Sequence, residues 1–265
     1  MNILHEIAER TKIRIEAQKK TLSMERIVES AIELKHQTDS SDFPFEKALK
    51  SNDIAFICEI KKASPSKGVI AKHFPYIQIA KEYETAGAAA ISVLTEPFYF
   101  QGHDMYLHEI AKNVSIPLLR KDFTIDSYMI YEAKLLHASA VLLICSILEP
   151  DILTEYISIA HNIGLSALVE THNEDEVAMA LKAGAKIIGV NNRNLKTFEV
   201  DINLSQRLRK LVPPDIIFVS ESGIQTPNDV SKLREIGAHA VLIGETIMRS
   251  QDKHSEILRL RGTGT

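Results

Sequence analysis

AVLLICSILEPDILTEYISIAHNIGLSALVE, residues 140–170, holds a strand, a helix and a second strand in one unbroken unit. The runs AVLLIC and LSALVE are apolar apart from Ser166 and the terminal Glu170 and lack the alternation of a strand that faces water on one side. Such runs belong to parallel strands covered on both faces, and the segment between them, 151–162, carries its Leu, Ile and Ala at helical spacing. The same unit recurs in both directions along the chain. IAFICEI (54–60), AAISVLT (89–95), IPLLRKD (116–122), KIIGVN (186–191), IIFVSE (216–221) and AVLIGE (240–245) complete a set of eight candidate strands. Helical segments separate them, among them 77–86, 127–136, 175–183 and 228–236.

Eight parallel strands fit an open, doubly wound sheet or a closed barrel. Open sheets carry a glycine-rich phosphate turn after the first strand, and no GxGxxG follows IAFICEI. The even spacing of the units favours closure, so the fold class is α/β, a (β/α)8 barrel. Gly87-Ala88, Gly184-Ala185 and Gly237-Ala238 recur where helices return to strands, glycine supplying the left-handed cap. Ahead of the first strand, residues 3–50 have helical spacing and no strand signal. The expected organisation is a helical extension, 1–50, packed on a barrel, 51–265, as one domain overall.

The chain's 265 residues suit one barrel of about 250 residues. A net charge of -4 and a pI near 6.2, with basic residues scattered along the chain, give no electrostatic case for nucleic acid. No apolar stretch approaches the roughly 18 residues that span a bilayer, and the N-terminus lacks a signal-type apolar core. Cys58 and Cys145 lie in apolar runs and read as buried free thiols, which together with the absence of a leader suggests a cytoplasmic protein. No CxxC or paired-histidine spacing suggests a metal. The tail from Arg259 to Thr265 is polar and glycine-containing, and is expected to be poorly ordered.

A strand buried on both faces should be apolar to its end, so charge at that end needs a reason. Five strands show one. The first ends Glu59-Ile60-Lys61, with Glu59 and Lys61 on the same face by alternation. Lys121, Glu170, Asn191 and Glu221 close the third, fifth, sixth and seventh. In a barrel these six residues meet at the C-terminal mouth, where interleaved lysines and carboxylates suit acid and base work. Ser222-Gly223 and Gly244-Glu245, after the last two strands, stand where barrels of this type offer backbone N–H groups to a phosphate. The loop Ser64-Pro65-Ser66-Lys67-Gly68 adds hydroxyls and a cation. His172 lies close to Glu170, but Asn173-Glu174-Asp175-Glu176 reads as a helix cap, which sets the histidine aside as a partner.

Read in order, EIKKASPSKG from Glu59, SVLTEPFYFQG from Ser92, LLRKDF from Leu118, ALVETH from Ala167, GVNNRNL from Gly189, VSESGI from Val219 and LIGE from Leu242 resemble the indole-3-glycerol phosphate synthase family over nearly the whole chain. The resemblance implies ring closure, decarboxylation and dehydration of 1-(2-carboxyphenylamino)-1-deoxyribulose 5-phosphate, without cofactor or metal. It implies Lys121 as general acid in the condensation and Glu170 as base. Glu59 and Lys61 become a second acid/base pair or hold the substrate carboxylate, and Asn191 and Glu221 hold hydroxyls and orient the lysines. Arg193 is a more distant contact. Ser64, Ser222, Gly223, Gly244 and Glu245 would surround the phosphate, and Phe100 and Phe123 would wall the aromatic end. The expected partner is this small phosphorylated substrate, and the expected assembly a monomer or weak homodimer. A phosphoribosylanthranilate isomerase-like barrel is the nearest alternative, but it leaves the N-terminal helices and the Glu59/Lys61/Lys121 set unexplained. A noncatalytic barrel scaffold would be expected to lose some of the charged strand ends.

Overall fold

A computed structural model describes residues 3–37, 42–194 and 197–262. Its eight long strands are β1 (Ala55–Ile60), β2 (Ala90–Leu94), β3 (Leu118–Lys121), β4 (Ala140–Ile144), β5 (Ser166–Thr171), β6 (Ile187–Asn191), β7 (Ile217–Glu221) and β8 (Ala240–Ile243). They form a closed parallel barrel, in which Ile57 of β1 lies opposite Leu242 of β8 on one side and Ala90 of β2 on the other. All eight apolar runs are therefore strands. Every strand residue is buried except Lys121, half-buried at the tip of β3. Burial on both faces is what the lack of alternation requires.

The barrel helices are α4 (Tyr76–Thr85), α5 (Asp104–Ala111), α6 (Ser127–Leu135), α7 (Pro150–Asn162), α8 (Glu174–Lys182), α9 (Asn203–Arg209), α10 (Pro227–Glu235), the short α11 (Glu245–Arg249) and α12 (Lys253–Arg261). Local chemistry sets several starts. Asp126 and Asn173 accept a backbone N–H from the first turn, and Thr226 with Asp229 forms a capping box ahead of Pro227. The Gly-Ala returns have φ of +80°, +84° and +75° at Gly87, Gly184 and Gly237, while His137 takes the equivalent place before β4 at +63°.

The expectation for the tail is corrected: Arg259 to Arg261 finish α12, with Ile257 and Leu260 buried and the Arg261 guanidinium 5.0 Å from the Phe56 ring centre. The spacing of Ile257 and Leu260, three apart on one helical face, outweighs the polar residues between and beside them. Residues 263–265 lie outside the described residues.

Three helices precede β1: α1 (Ile3–Thr21), α2 (Met24–Gln37) and α3 (Pro44–Leu49). They engage opposite ends of the barrel. At the C-terminal mouth, Ile3, Leu4 and Ile7 of α1 line the cavity. Further along α1, Arg14 pairs with Asp122 at 2.9 Å and Lys19 with Asp126 at 2.6 Å. α2 lies on α6, where Ile15, Ile27, Tyr128 and Met129 form a small apolar cluster. α3 lies at the N-terminal end of the strands, with Phe45 and Leu49 fully buried and Glu46 accepting from the Ser166 hydroxyl at 3.4 Å. Inside the barrel, Ile57, Leu119, Leu142, Leu168, Val219 and Leu242 belong to one apolar cluster. Among the described residues no helix is long and apolar enough to cross a membrane.

Candidate active site

The C-terminal ends of the strands surround a cavity of about 450 Å³ lined by all fourteen candidate residues: Glu59, Lys61, Ser64, Phe100, Lys121, Phe123, Glu170, Asn191, Arg193, Glu221, Ser222, Gly223, Gly244 and Glu245. Strand alternation accounts for the placement. Lys121 points inward at the tip of β3, while its neighbour Arg120 points outward and is buried against Asp104 and Glu132, each at 2.7 Å.

Lys121 is the centre of charge. Its Nζ lies 3.5 Å from Oε2 of Glu170 and 3.8 Å from Oε2 of Glu221. Burial would drive the ammonium toward its neutral form, but Glu170, Glu221 and Glu59 outweigh it and hold the proton on Lys121 well above the usual lysine range. Lys61 stands apart, 2.5 Å from Oε1 of Glu59. Burial would raise the Glu59 pKa, and the Lys61 and Lys121 charges overcome it, leaving that carboxyl below its ordinary value. Glu170 is likewise lowered against burial, by Lys121 and then by His172. Glu221 goes the other way: burial raises it, Lys121 pulls it back, and the Glu170 and Glu59 charges push it up again to about 8. Its Oε1 is buried without a hydrogen-bond partner. The pocket thus holds one neutral carboxylic acid among charged neighbours at pH 7, a division suited to proton transfer.

Two glycines make room for these carboxylates. A Cβ at Gly244 would fall on Oε1 of Glu59, and one at Gly189 would fall on Oε1 of Glu221. At the aromatic side, Phe100 and Phe123 sit with ring centres 6.0 Å apart. At the other side, Ser222 and Gly223 take left-handed backbone, with φ of 67° and 83°, after β7. The Glu245 carboxylate there accepts from Arg249 at 3.1 Å, with Arg193 and Lys67 at 3.8 and 3.9 Å.

A family model described as indole-3-glycerol phosphate synthase matches residues 4–260. The indole-3-glycerol phosphate synthase of Ruminiclostridium cellulolyticum is 61% identical over 98% of this chain and 99% of its own length. The chain belongs to the indole-3-glycerol phosphate synthase family. The synthase of Lachnoclostridium phytofermentans is 54% identical over 98% of both chains. Among solved structures, 3-hexulose-6-phosphate synthase from Salmonella typhimurium (TM-score 0.65, 13% identity, 79% of this chain and 98% of that one) shares the barrel alone. The same holds for a tryptophan synthase alpha-subunit from Pyrococcus furiosus (TM-score 0.61, 15% identity, 79% and 98%).

Within this member of the indole-3-glycerol phosphate synthase family, the sequence reading missed three groups around this cavity. Asp122 is buried beside Lys121 and holds Arg14, Thr95 and the Phe123 amide. Glu96, fully buried, accepts the backbone N–H groups of Phe98, Tyr99 and Phe100 and so shapes the aromatic wall. A buried carboxylate just past an apolar run was the available signal for both. The third is His172, set aside above in favour of a helix cap. Asn173 does cap α8, yet His172 also lies 3.3 Å from Glu170. Cap and contact are compatible because the cap fixes the turn from which the imidazole reaches back.

Proposed function

We propose that Lys121, Glu170, Glu221, Asn191 and the Glu59–Lys61 pair carry out the family's reaction at this mouth: ring closure of 1-(2-carboxyphenylamino)-1-deoxyribulose 5-phosphate, with loss of carbon dioxide and water. The observation that carries the reading is the Lys121 ammonium set between two buried carboxyl groups, those of Glu170 and Glu221, 3.5 and 3.8 Å away. As the aromatic carbon attacks the ribulose carbonyl, the oxygen gains negative charge, and Lys121 protonates it. Loss of carbon dioxide from the attacking ring carbon follows, and its bonding electrons restore the benzene ring. Departure of the new hydroxyl needs a second acid, for which Lys61 is placed by Glu59. Glu170 takes the last ring proton and restores aromaticity. Asn191 and the neutral Glu221 carboxyl hold substrate hydroxyls.

The phosphate fits the opposite side of the cavity, against the hydroxyls of Ser64 and Ser222 and the backbone N–H groups of Gly223, Gly244 and Glu245, with Arg193 close by. Phe100 and Phe123 flank the aromatic ring. The extension, 1–50, and the barrel, 51–265, act as one domain, since α1 walls the site and α3 packs at the far end. A cytoplasmic monomer or weak homodimer fits the two buried free thiols and the scattered exposed apolar residues.

The test follows indole fluorescence with purified protein and the carboxyphenylamino-deoxyribulose phosphate. Wild type is expected to form product and Lys121→Ala to lose about a thousandfold in kcat. No product from wild type defeats the functional reading. Full turnover by Lys121→Ala defeats the general-acid assignment alone.

A further inference from the structure

His172 follows β5 directly and opens the turn into α8, with its side chain mostly buried. Both ring nitrogens face carboxylates. Nε2 lies 3.3 Å from Oε1 of Glu170, an ion-pair separation without the alignment of a hydrogen bond, and Nδ1 lies 3.1 Å from Oε2 of Glu176. Glu176 is itself fixed. Its Oε2 accepts the His172 backbone N–H at 2.8 Å, its Oε1 accepts from Asn173 Nδ2 at 2.9 Å, and its own N–H donates to Asn173 Oδ1 at 2.9 Å.

A neutral imidazole has one N–H and one lone pair, and would turn that lone pair toward one of the two carboxylates. Only the imidazolium satisfies both. Glu170 is then held with one cation on each oxygen, Lys121 at 3.5 Å from Oε2 and His172 at 3.3 Å from Oε1. The two cations differ in what they do next. Lys121 gives up its proton in the proposed condensation, whereas His172 faces away from the reacting atoms and keeps its charge.

We propose that His172 is a positioning residue for this reaction, a permanent imidazolium that keeps the Glu170 carboxylate ionised and oriented while Lys121 is between protonation states. The proposal rests on the reading of Lys121 and Glu170 given above. Burial disfavours the charged ring, but the two carboxylates overcome that and raise its pKa to about 10. Other charges bear on the ring more weakly. Glu221 of β7 senses the imidazolium, and the Cys145 thiol, pushed up to about 12 by burial and then by Glu176 and Glu170, sits beside α8 as a neutral group. Across a second cavity that His172 also lines stand His5 of α1 and Arg193, Glu199, Asp201 and Arg207 from the β6 to α9 segment.

The experiment combines ring 15N NMR of His172 with pH profiles of kcat/KM for wild type, His172→Gln and Glu176→Gln. In wild type at pH 8 both ring nitrogens should be protonated. In Glu176→Gln the ring should be neutral at pH 8, with a new loss of activity on the alkaline side. His172→Gln offers a hydrogen bond without the charge, so its acid limb should move up by about one pH unit, which lowers the rate on that limb about tenfold. A neutral ring in wild type at pH 8 overturns the proposal. So does a His172→Gln profile that keeps the wild-type limbs, whatever its kcat, because a purely structural histidine would lower the rate without moving them. A wild type that forms no product overturns the functional reading and the proposal together, whereas unmoved limbs in an active wild type overturn the proposal alone.

Discussion

Glu221 carries a thermodynamic consequence at the scale of a single residue. An unfolded glutamate ionises near 4.5, whereas the folded one keeps its proton to about 8. Between those values the unfolded chain binds fewer protons than the folded chain, so this residue makes stability fall as pH rises. The acidic neighbours have the opposite sign: Glu170 and Glu59, lowered in the fold, contribute stability above 4.5 that is lost on acidification. Glu221 should therefore depress the melting temperature progressively from about pH 5 to pH 8, and Glu221→Gln, compared with wild type, should lose that share of the pH dependence. Calorimetry of both proteins across this range decides it, an unchanged pH dependence in the variant counting against the neutral carboxyl. Glu59, Lys61, Lys121, Glu170, Asn191 and Glu221 were legible in the sequence because each interrupts or closes an apolar strand. His172 was not, since alternation stops at the strand end and the reach of a side chain from a turn has no periodic signature.

Among the elements, the end of β8 and the short α11 show how one strand constrains its neighbour. Gly244 has no side chain where the Glu59 carboxylate of β1 comes across, so the pairing of first and last strands decides where that carboxylate points. Gly244→Ala should leave the far-ultraviolet circular dichroism unchanged and lower kcat by about tenfold or more, through displacement of Glu59 and its partner Lys61. Wild-type turnover in a folded Gly244→Ala protein would show that Glu59 is not held where it is needed. Sequence spacing gave the five named helices to within a residue or so at their starts, and for three of them Asp126, Asn173 and Thr226 announce the start chemically. It passed over α5, α9 and α11, which are eight, seven and five residues long, too short for a clear period.

For the molecule as a whole, α1 is both wall and latch. Its first turns line the cavity, and Arg14 reaches the buried Asp122 next to Lys121. Arg14→Leu leaves Asp122 with Thr95 at 2.7 Å and Arg120 at 3.8 Å, and loses its closest cation. The loss should be about 3 kcal/mol in urea unfolding, with a raised KM because the wall loosens; an unchanged midpoint would mean that α1 is held by its apolar face alone. That the extension is helical was plain from its spacing. Its grip on both ends of the barrel was not, because residues such as Arg14 and Asp122, far apart in sequence, become partners only when the barrel closes.

Closure also fixes the order in which the chain can be completed as it is made. β1 needs β8 as its second neighbour, and Ala240–Ile243 leaves the ribosome after the other seven strands. Until then β1 presents a bare strand edge, and α1, made before every strand of the barrel, has only part of the mouth on which to settle. A helix made ahead of the barrel is thus among the latest to dock, and the nascent barrel needs protection from its own open edge until β8 has emerged.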